Sequence, residues 1–356
     1  MAAINQGTFT FNQEELQDLS QVIHELTFAN EELNALHDVQ EGIKWNKQIV
    51  FAGRIGLMGK AVTGCTPNTI EGVTLTQKTW TPVEEDFRLE HCSTSTDSQN
   101  KLINQMSKRN PDFYDIIQGS QSVIGQFLVA KVIEGFVENL LRKVWFSDTA
   151  ADTVTNGGQL KNGTDKEYFN TFNGLFKQIV TEIPITHRNY VAAPRNAGAD
   201  YAAQELQAND AVNTFRAMYK KADSRLKSFP NAQFYVTQSM WDQYLDDLED
   251  KQNQGAGNTM ITENGQTTLT YRGFRVIPME VWDRNIESYY DNGTKFDRPN
   301  RAVFTAPMNI PIGTLAKSDF GEVDAFYDKV SKKNYIDGIY SLDAKVLEVY
   351  LMVASY

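Results

Sequence analysis

The sequence predicts an α+β fold organised around one long helix. From residue 121 to residue 146, apolar residues recur in pairs four or five positions apart, which is typical of one stripe of an α-helix. Residues 184–312 alternate short helical and extended patterns, and residues 321–356 read as strands. These strands are too short and too interrupted for a doubly wound parallel sheet. We therefore expect a long helix packed against strands, with a second α+β region inserted in the chain.

The long helix, residues 121–146, needs packing partners. At a rise of about 1.5 Å per residue it would be a rod of roughly 39 Å. Gly125 and Gly135 weaken it locally, so we expect tertiary packing to hold it and local bending to be possible. The candidate core residues along its length are Phe127, Ile133, Phe136, Leu140 and Trp145.

Composition excludes several function classes. The formal net charge of −11 argues against a surface that grips nucleic-acid phosphates, which needs clustered Lys and Arg. No apolar run reaches the ~18 residues of a membrane-spanning helix, and the N-terminus lacks the order of a signal peptide. Two cysteines and four histidines are too few and too scattered for a structural zinc site. We expect neither a cofactor nor a membrane partner.

The N-terminal segment predicts helices that end in a glycine-rich connector. Leu16, Leu19 and Ile23 line one face of a helix that starts near Asn12, and a second short helix is expected at residues 30–38. Two interpretations stay open. The segment packs on its own subunit, or it forms an arm that lies on a partner.

Residues 73–91 read as two extended runs on either side of Thr81 and Pro82, and we interpret them as a β-hairpin. An isolated two-stranded ribbon is marginal in water, so something outside the hairpin must support it. The support is either a helix of the same chain or a neighbouring subunit. The candidates for inter-subunit contact are Lys78, Trp80, Phe87 and Leu89, together with Leu16, Leu19 and Ile23.

The apolar run at residues 344–356 predicts a buried C-terminal strand. We expect this strand to return beside the long helix, which would make the first domain discontinuous.

Catalytic motifs are missing from the sequence. It contains no nucleophile elbow, His-based triad, zincin helix or dinucleotide fingerprint. His187 and the pair His91 and Cys92 are the only candidates for acid–base or thiol chemistry, and a structural role is the better interpretation of each. We therefore expect a protein that is not an enzyme.

The order of the predicted elements resembles the major capsid proteins of tailed phages, which have the Hong Kong 97-type capsid fold. That order is a helical arm, an extended hairpin, a long helix, an inserted α+β domain and returning strands. Similar strings reinforce it, and they look like segments of capsid proteins from phages of gut Bacteroides-type bacteria: WTPVEEDFRLEHC, LLRKVWFSD, NAQFYVTQSMWDQYLDDL, YRGFRVIPMEVWD, NRAVFTAPMNIPIG and DAKVLEVYLMVASY. The resemblance covers nearly the whole chain.

The resemblance implies a domain assignment. Residues 1–64 would be the N-terminal arm and residues 65–95 the extended loop, a β-hairpin. Residues 96–183 and 313–356 would form the peripheral domain, whose spine is the long helix. Residues 184–312 would be the axial domain.

The resemblance also implies a function. Copies of the chain would assemble as hexamers and pentamers into an icosahedral shell that encloses double-stranded DNA without sequence-specific binding. The protein would be part of the virion, assembled in the host bacterial cytoplasm, with a portal protein and scaffolding or decoration proteins as partners. Because the arm starts near Met1, we expect a separate scaffolding protein or none. Some relatives join subunits by a Lys–Asn bond; Lys78 is the only lysine of the hairpin, and nothing identifies a partner Asn.

Two alternatives remain at this point. One is the shell protein of an encapsulin-like nanocompartment. The other is a cytosolic α+β enzyme that uses His187 with nearby acids.

Overall fold

The structure is a computed structural model. It describes residues 31–43, 47–52, 75–92, 123–154, 159–253, 260–263, 266–314, 324–328, 330 and 333–356. The α-helices of these ranges, numbered in chain order, are α1 Glu31–Leu36, α2 Val123–Phe146, α3 Leu175–Glu182, α4 Tyr201–Gln204, α5 Asp210–Lys221, α6 Ser224–Ser228, α7 Gln238–Asn253 and α8 Glu280–Tyr289.

The strands fall into three sheets. In chain order they are β1 Val39–Gln40, β2 Gln48–Ala52, β3 Leu75–Thr79, β4 Val83–Cys92, β5 Tyr190–Val191, β6 Gln233–Val236, β7 Met260–Glu263, β8 Gln266–Tyr271, β9 Phe274–Pro278, β10 Ala302–Thr305, β11 Ile312–Thr314, β12 Asp324–Asp328, β13 Lys333–Ala344 and β14 Met352–Ser355.

The predicted long helix is confirmed as α2, which runs from Val123 to Phe146. Phe136, Leu140 and Trp145 are buried in the main hydrophobic core, which also takes residues from α3, α8 and β13. This packing explains how a helix interrupted by glycine persists.

The side chains of five predicted helical residues lie outside what the structure describes. Phe127 and Ile133 lie on α2, but their side chains fall outside what the structure describes. Leu16, Leu19 and Ile23 lie wholly outside the described residues. Their predicted contacts therefore stay predictions.

A five-stranded sheet covers the long helix, and β13 is its central strand. Along one edge of β13, β4 pairs antiparallel over ten residue pairs, from Cys92 opposite Lys333 to Val83 opposite Leu342. Along the other edge, β12 and β11 pair antiparallel with β13, and β1 extends the sheet by pairing parallel with β11. Tyr340 of β13 packs edge-on against Phe136 of α2, with 4.7 Å between ring centroids.

The predicted hairpin at residues 73–91 was wrong in its pairing. Both strands exist, as β3 and β4, but β3 pairs with β2 and β4 pairs with β13. Alternating polar and apolar residues identify a strand and its buried face. They do not identify the neighbouring strand, which here lies far away in the sequence.

A seven-stranded mixed sheet forms the second region, in the order β5-β14-β10-β6-β9-β8-β7. Helices α5 and α7 contribute to its core, where the rings of Phe234 and Phe304 stack with centroids 4.1 Å apart. The predicted strands at residues 233–236 and 302–305 and the predicted pair at 266–271 and 274–277 are confirmed. The α+β class is confirmed as well.

The C-terminal strand is buried in a sheet, as predicted, but this sheet is not the one that contains β13. β14, Met352–Ser355, pairs with β10 and β5 in the seven-stranded sheet, and Met352 and Ala354 are buried in the main core that also contains the long helix. The apolar run is interrupted by a 3-10 turn at Val349–Leu351, which separates β14 from β13. β13 packs on the long helix, as expected.

In the parts of the chain that the structure describes, no helix combines the length and the apolar character needed to cross a membrane.

Candidate functional site

The strands β2 and β3 form a two-stranded antiparallel sheet, which we call the ribbon. Its register runs from Gln48 opposite Thr79 to Ala52 opposite Leu75. Within the described ranges neither strand pairs with another sheet, so the ribbon presents two outer edges. The connection at residues 53–74 lies outside the described residues.

A small apolar cluster holds the base of the ribbon on its own subunit. Trp80 is 1% exposed and packs with Ile43, Ile49 and Leu347. Its backbone N–H donates to Lys47 O at 3.0 Å. The side chain of Trp80 is therefore covered by its own chain, and it leaves almost no surface for the neighbouring subunit that the sequence suggested.

Gly313 on β11 permits this close packing. A Cβ atom at Gly313 would lie 2.7 Å from Ile43 Cδ1 and 2.9 Å from Trp80 Cζ3. Real Cβ contacts are rarely so short, so a larger residue would have to displace one of these two buried side chains.

Polar contacts also hold the ribbon base. Thr81 N donates to Asp343 Oδ2 at 2.7 Å, and Lys345 Nζ lies 3.1 Å from the same oxygen. Lys78 Nζ donates to Glu182 Oε1 at 2.6 Å and to Val346 O at 2.5 Å. The ammonium group that was a candidate for inter-subunit contact thus already has two acceptors on its own chain.

The other two candidates of this region lie on β4. Phe87 packs against the long helix and β13, with its ring centroid 5.9 Å from Phe136 and 6.4 Å from Tyr340. Leu89 packs against the same core. Both are only partly buried, so their contact with a neighbouring copy stays a prediction, as it does for Lys78.

A buried polar junction joins β4, β13 and the long helix. Lys143 Nζ lies 2.5 Å from Glu85 Oε2, and both side chains are at most 8% exposed. Tyr340 Oη donates to the same carboxylate oxygen, and Asn139 Nδ2 donates to Tyr340 Oη at 2.9 Å. Burial, and then the Glu85 charge, raise the pKa of Tyr340. The junction therefore keeps the phenol protonated as a donor.

Sequence reasoning missed this junction, although a signal was present. Val83, Glu85, Phe87 and Leu89 alternate with exposed or charged residues and share one face of β4. A carboxylate on an otherwise apolar face indicates a buried partner of opposite charge.

His37 fixes the described part of the N-terminal segment to the main core. Its Nε2 accepts from Trp145 Nε1 at 3.2 Å, so Nδ1 carries the proton and donates to Ile310 O at 3.0 Å. Burial lowers the pKa of His37 to about 4. Together with buried Leu33, this contact places residues 31–43 on their own subunit.

A cleft that bears on the enzyme alternative lies beside the ribbon base. It has a volume of about 420 Å³, and His187, Lys78, Glu182 and Glu348 are among its lining residues. His187 Nδ1 accepts from Asn189 N at 3.1 Å, so the imidazole proton is on Nε2. Glu182 is already paired with Lys78, which limits its use as a base for His187.

Metal chemistry has no obvious place in the described ranges. No group of three or more His, Cys, Asp or Glu side chains is arranged there to hold a metal ion. His91 and Cys92 belong to β4, but their side chains lie outside the described ones.

Comparison with known proteins gives matches at the level of structure. No protein-family model and no curated protein sequence matches the chain. A chain of the satellite phage P4 procapsid, in a structure that includes the size determination (Sid) protein, is similar with a TM-score of 0.51 at 10% identity, over 95% of this chain and 98% of that one. A chain of Gordonia phage Cozz gives a TM-score of 0.50 at 11% identity, over 91% of this chain and 85% of that one.

A chain of the SrpI encapsulin complex from Synechococcus elongatus PCC 7942 gives a lower TM-score of 0.45 at 9% identity, over 92% and 88% of the two chains. At such identities the likeness concerns the fold. The chain has the α+β fold of phage capsid chains, and the fold that the Hong Kong 97-type resemblance implies is confirmed.

Proposed function

We propose that this chain is the major capsid protein of a tailed phage. Copies assemble as hexamers and pentamers into an icosahedral shell that encloses double-stranded DNA. The observation that carries the proposal is the shared fold with a phage procapsid chain, which extends over nearly the full length of both chains. The net charge of −11 fits a container that does not hold its DNA tightly through the phosphates.

The ribbon supports a revised position for the extended loop. The sequence suggested residues 65–95, but β4 belongs to the five-stranded sheet of its own subunit. We place the extended loop at residues 47–79, which include β2, β3 and their connection. The ribbon is anchored at its base, and its unpaired edges suit contact with a neighbouring copy.

Several finer expectations belong to the same proposal. The axial domain corresponds to residues 184–312 with β14 added, because β14 completes that sheet. A portal protein and scaffolding or decoration proteins would be the partners, with the mature protein in the virion after assembly in the host cytoplasm. A host among gut Bacteroides-type bacteria rests on the sequence strings alone.

Recombinant expression tests the proposal directly. We expect capsomers, sheets or closed shells by size-exclusion chromatography and negative-stain electron microscopy. A small monodisperse species whose turnover of a substrate is lost in His187→Ala would contradict the shell function. Neighbouring portal and terminase genes distinguish a phage shell from a nanocompartment, which would instead co-purify with a cargo protein.

A shortened ribbon tests the revised loop. Ala52 and Leu75 are cross-strand neighbours, so residues 53–74 can be replaced by a two-residue Asn-Gly turn that suits a hairpin. The shortened chain should keep the melting temperature of the unassembled wild-type subunit but fail to form shells. Normal shells from this variant would contradict an inter-subunit role of the ribbon.

A further inference from the structure

A cavity of about 110 Å³ with a mixed polar and apolar lining lies where the long helix ends, between α3 and the segment that precedes β10. Its lining includes Ser147, Lys177, Arg298 and Arg301. These residues come from three separate stretches of the chain, and neither the shell function nor the ribbon uses them.

Arg301 is buried beside this cavity and makes no ion pair with a carboxylate of the described residues. Its guanidinium group lies 5.2 Å from the ring centroid of Phe146 and 4.5 Å from that of Phe176. Nε donates to Arg298 O at 2.8 Å and Nη2 donates to Asp297 O at 3.1 Å. These carbonyls occupy two of the five N–H donors of the group. Asp297 and Asp283 act on this charge without pairing with it directly. A buried charge without a direct counter-ion is costly, so an anion in contact with Arg301 would be favoured.

The cavity offers further donors. The hydroxyl group of Ser147, a residue 1% exposed, has no hydrogen-bond partner within the described part of the chain. Arg298 makes no ion pair with the described residues; its guanidinium group packs 5.2 Å from the ring centroid of Tyr356. Two guanidinium groups that make no ion pair with described residues thus meet at this cavity, together with one hydroxyl group that has no described hydrogen-bond partner.

The carboxylates of the lining do not cancel this charge. Asp148 is already paired with Lys177 at 2.9 Å. Asp297 also lines the cavity and its charge acts on Arg301, but it forms no ion pair with Arg301 or Arg298. One positive charge is left in excess.

We propose that this cavity binds a small tetrahedral oxyanion of the phosphate class, with Arg301, Arg298 and Ser147 as donors. Arginine matches oxyanions through two parallel N–H donors. Donors from separate chain segments suit an anion with several oxygens better than a single carboxylate. The cavity volume is several times the about 30 Å³ that one water occupies in the liquid, so an anion as large as phosphate fits. The bound anion would join the end of α2 to the start of β10.

Thermal unfolding of the full-length chain tests the site, with inorganic phosphate as the probe and chloride at equal ionic strength and neutral pH as the reference. Ligand binding to the folded state alone raises the melting temperature, and we expect a rise of about 2–4 °C at saturating phosphate. Sulfate should act in the same way. Ser147→Ala and Arg298→Gln should melt near the wild type in chloride and lose most of the rise, because they remove donors without opening the core.

The matched control is Arg216→Gln, which removes one charge from the exposed face of α5 and should keep the full rise. Comparing variants with the wild type also cancels the general stabilising effect of phosphate as a salt. An equal rise in all variants, no rise in the wild type, or an equal rise with acetate would each overturn the proposal. None of these outcomes depends on whether the chain forms shells.

Discussion

Lys143 and Glu85 form a buried ion pair, with 2.5 Å between Nζ and Oε2, that ties the long helix to strand β4. The two residues are far apart in the sequence, and their side chains meet only because β4 is held against α2 by the sheet around β13. The ion pair therefore forms only when the long helix and the sheet are packed together correctly within the subunit.

Removing one partner of this ion pair should lower the free energy of unfolding more than removing both partners. Lys143→Met or Glu85→Leu leaves a buried charge uncompensated, so each should lower the free energy of unfolding by about 3–5 kcal/mol. The double variant should recover a large part of this loss. Urea unfolding of the unassembled subunit measures the three values. As a control, Glu90→Gln breaks an exposed pair with Lys333 and should cost less than about 1 kcal/mol. Additive losses in the double variant would contradict this prediction.

His37 should make the subunit lose stability in acid. Its pKa is lowered from 6.5 to about 4 by burial, so the unfolded chain binds a proton more readily than the folded one. The contribution of neutral His37 to the free energy of unfolding, roughly 3 kcal/mol, is fully present above pH 6.5. It is lost as the pH falls through about 4. His37→Gln removes the titrating group and should flatten this part of the stability curve. Unfolding free energies measured between neutral pH and pH 4 test this prediction. An unchanged slope of the free energy against pH in the variant would contradict it.

Asp283 should make the subunit lose stability as the pH rises, which is the opposite of the effect of His37. Burial raises the pKa of its carboxyl to about 6, and Oδ2 accepts from Gln238 N at 2.7 Å. The folded state therefore prefers the protonated form, and its contribution to stability is lost as the pH rises from about 4 through about 6. Asp283→Asn keeps an acceptor for Gln238 without the charge. Its melting temperature should exceed that of the wild type at neutral pH and match it near pH 4; a lower value at neutral pH would contradict the assignment.

Gly313→Ala should destabilise the ribbon base. The added methyl group would lie 2.7 Å from Ile43 Cδ1, which is buried and cannot move freely. We expect a loss of about 1–3 kcal/mol in the free energy of unfolding. Ile43→Val deletes the Cδ1 atom, so the double variant should lose less than the sum of the single losses. A double-variant cycle by urea unfolding checks this, and strict additivity would show that the two sites do not touch.

Gly135→Ala should stabilise the long helix. Nothing lies within 4 Å of the position of the new Cβ, and Gly135 is exposed in a helix interior. Replacing glycine there gains about 0.5–1 kcal/mol. If bending at this glycine helps subunits fit both pentamers and hexamers, the variant should also yield fewer closed shells relative to sheets by electron microscopy. A variant that is more stable and closes shells normally would place the bending elsewhere.

Local sequence patterns were enough to predict the elements that depend only on residues close together in the chain. The stripe of α2, the strands at residues 233–236 and 302–305 and the hairpin at 266–278 all follow from neighbouring residues. The partners of β4 and β14 did not follow, because each pairs with strands that the alternation does not identify.

The candidate sites show the same difference between features set by neighbouring residues and features set by distant ones. The position of Glu85 on the inner face of β4 was readable from alternation, but its partner Lys143 was not. The cavity beside Arg301 is assembled from three stretches distant in the sequence, so no local motif marks it.

The central position of β13 has a consequence for how the polypeptide is made. Its neighbour β4 is synthesised before the long helix and most of the seven-stranded sheet, and β13 follows them. Nascent domains usually fold as units once their contacting segments are available, and distant pairings are slow. The ribosome must therefore pass Ala344 before β4 can take its place in the sheet, so β4 lacks its central partner while the chain between the two strands is made.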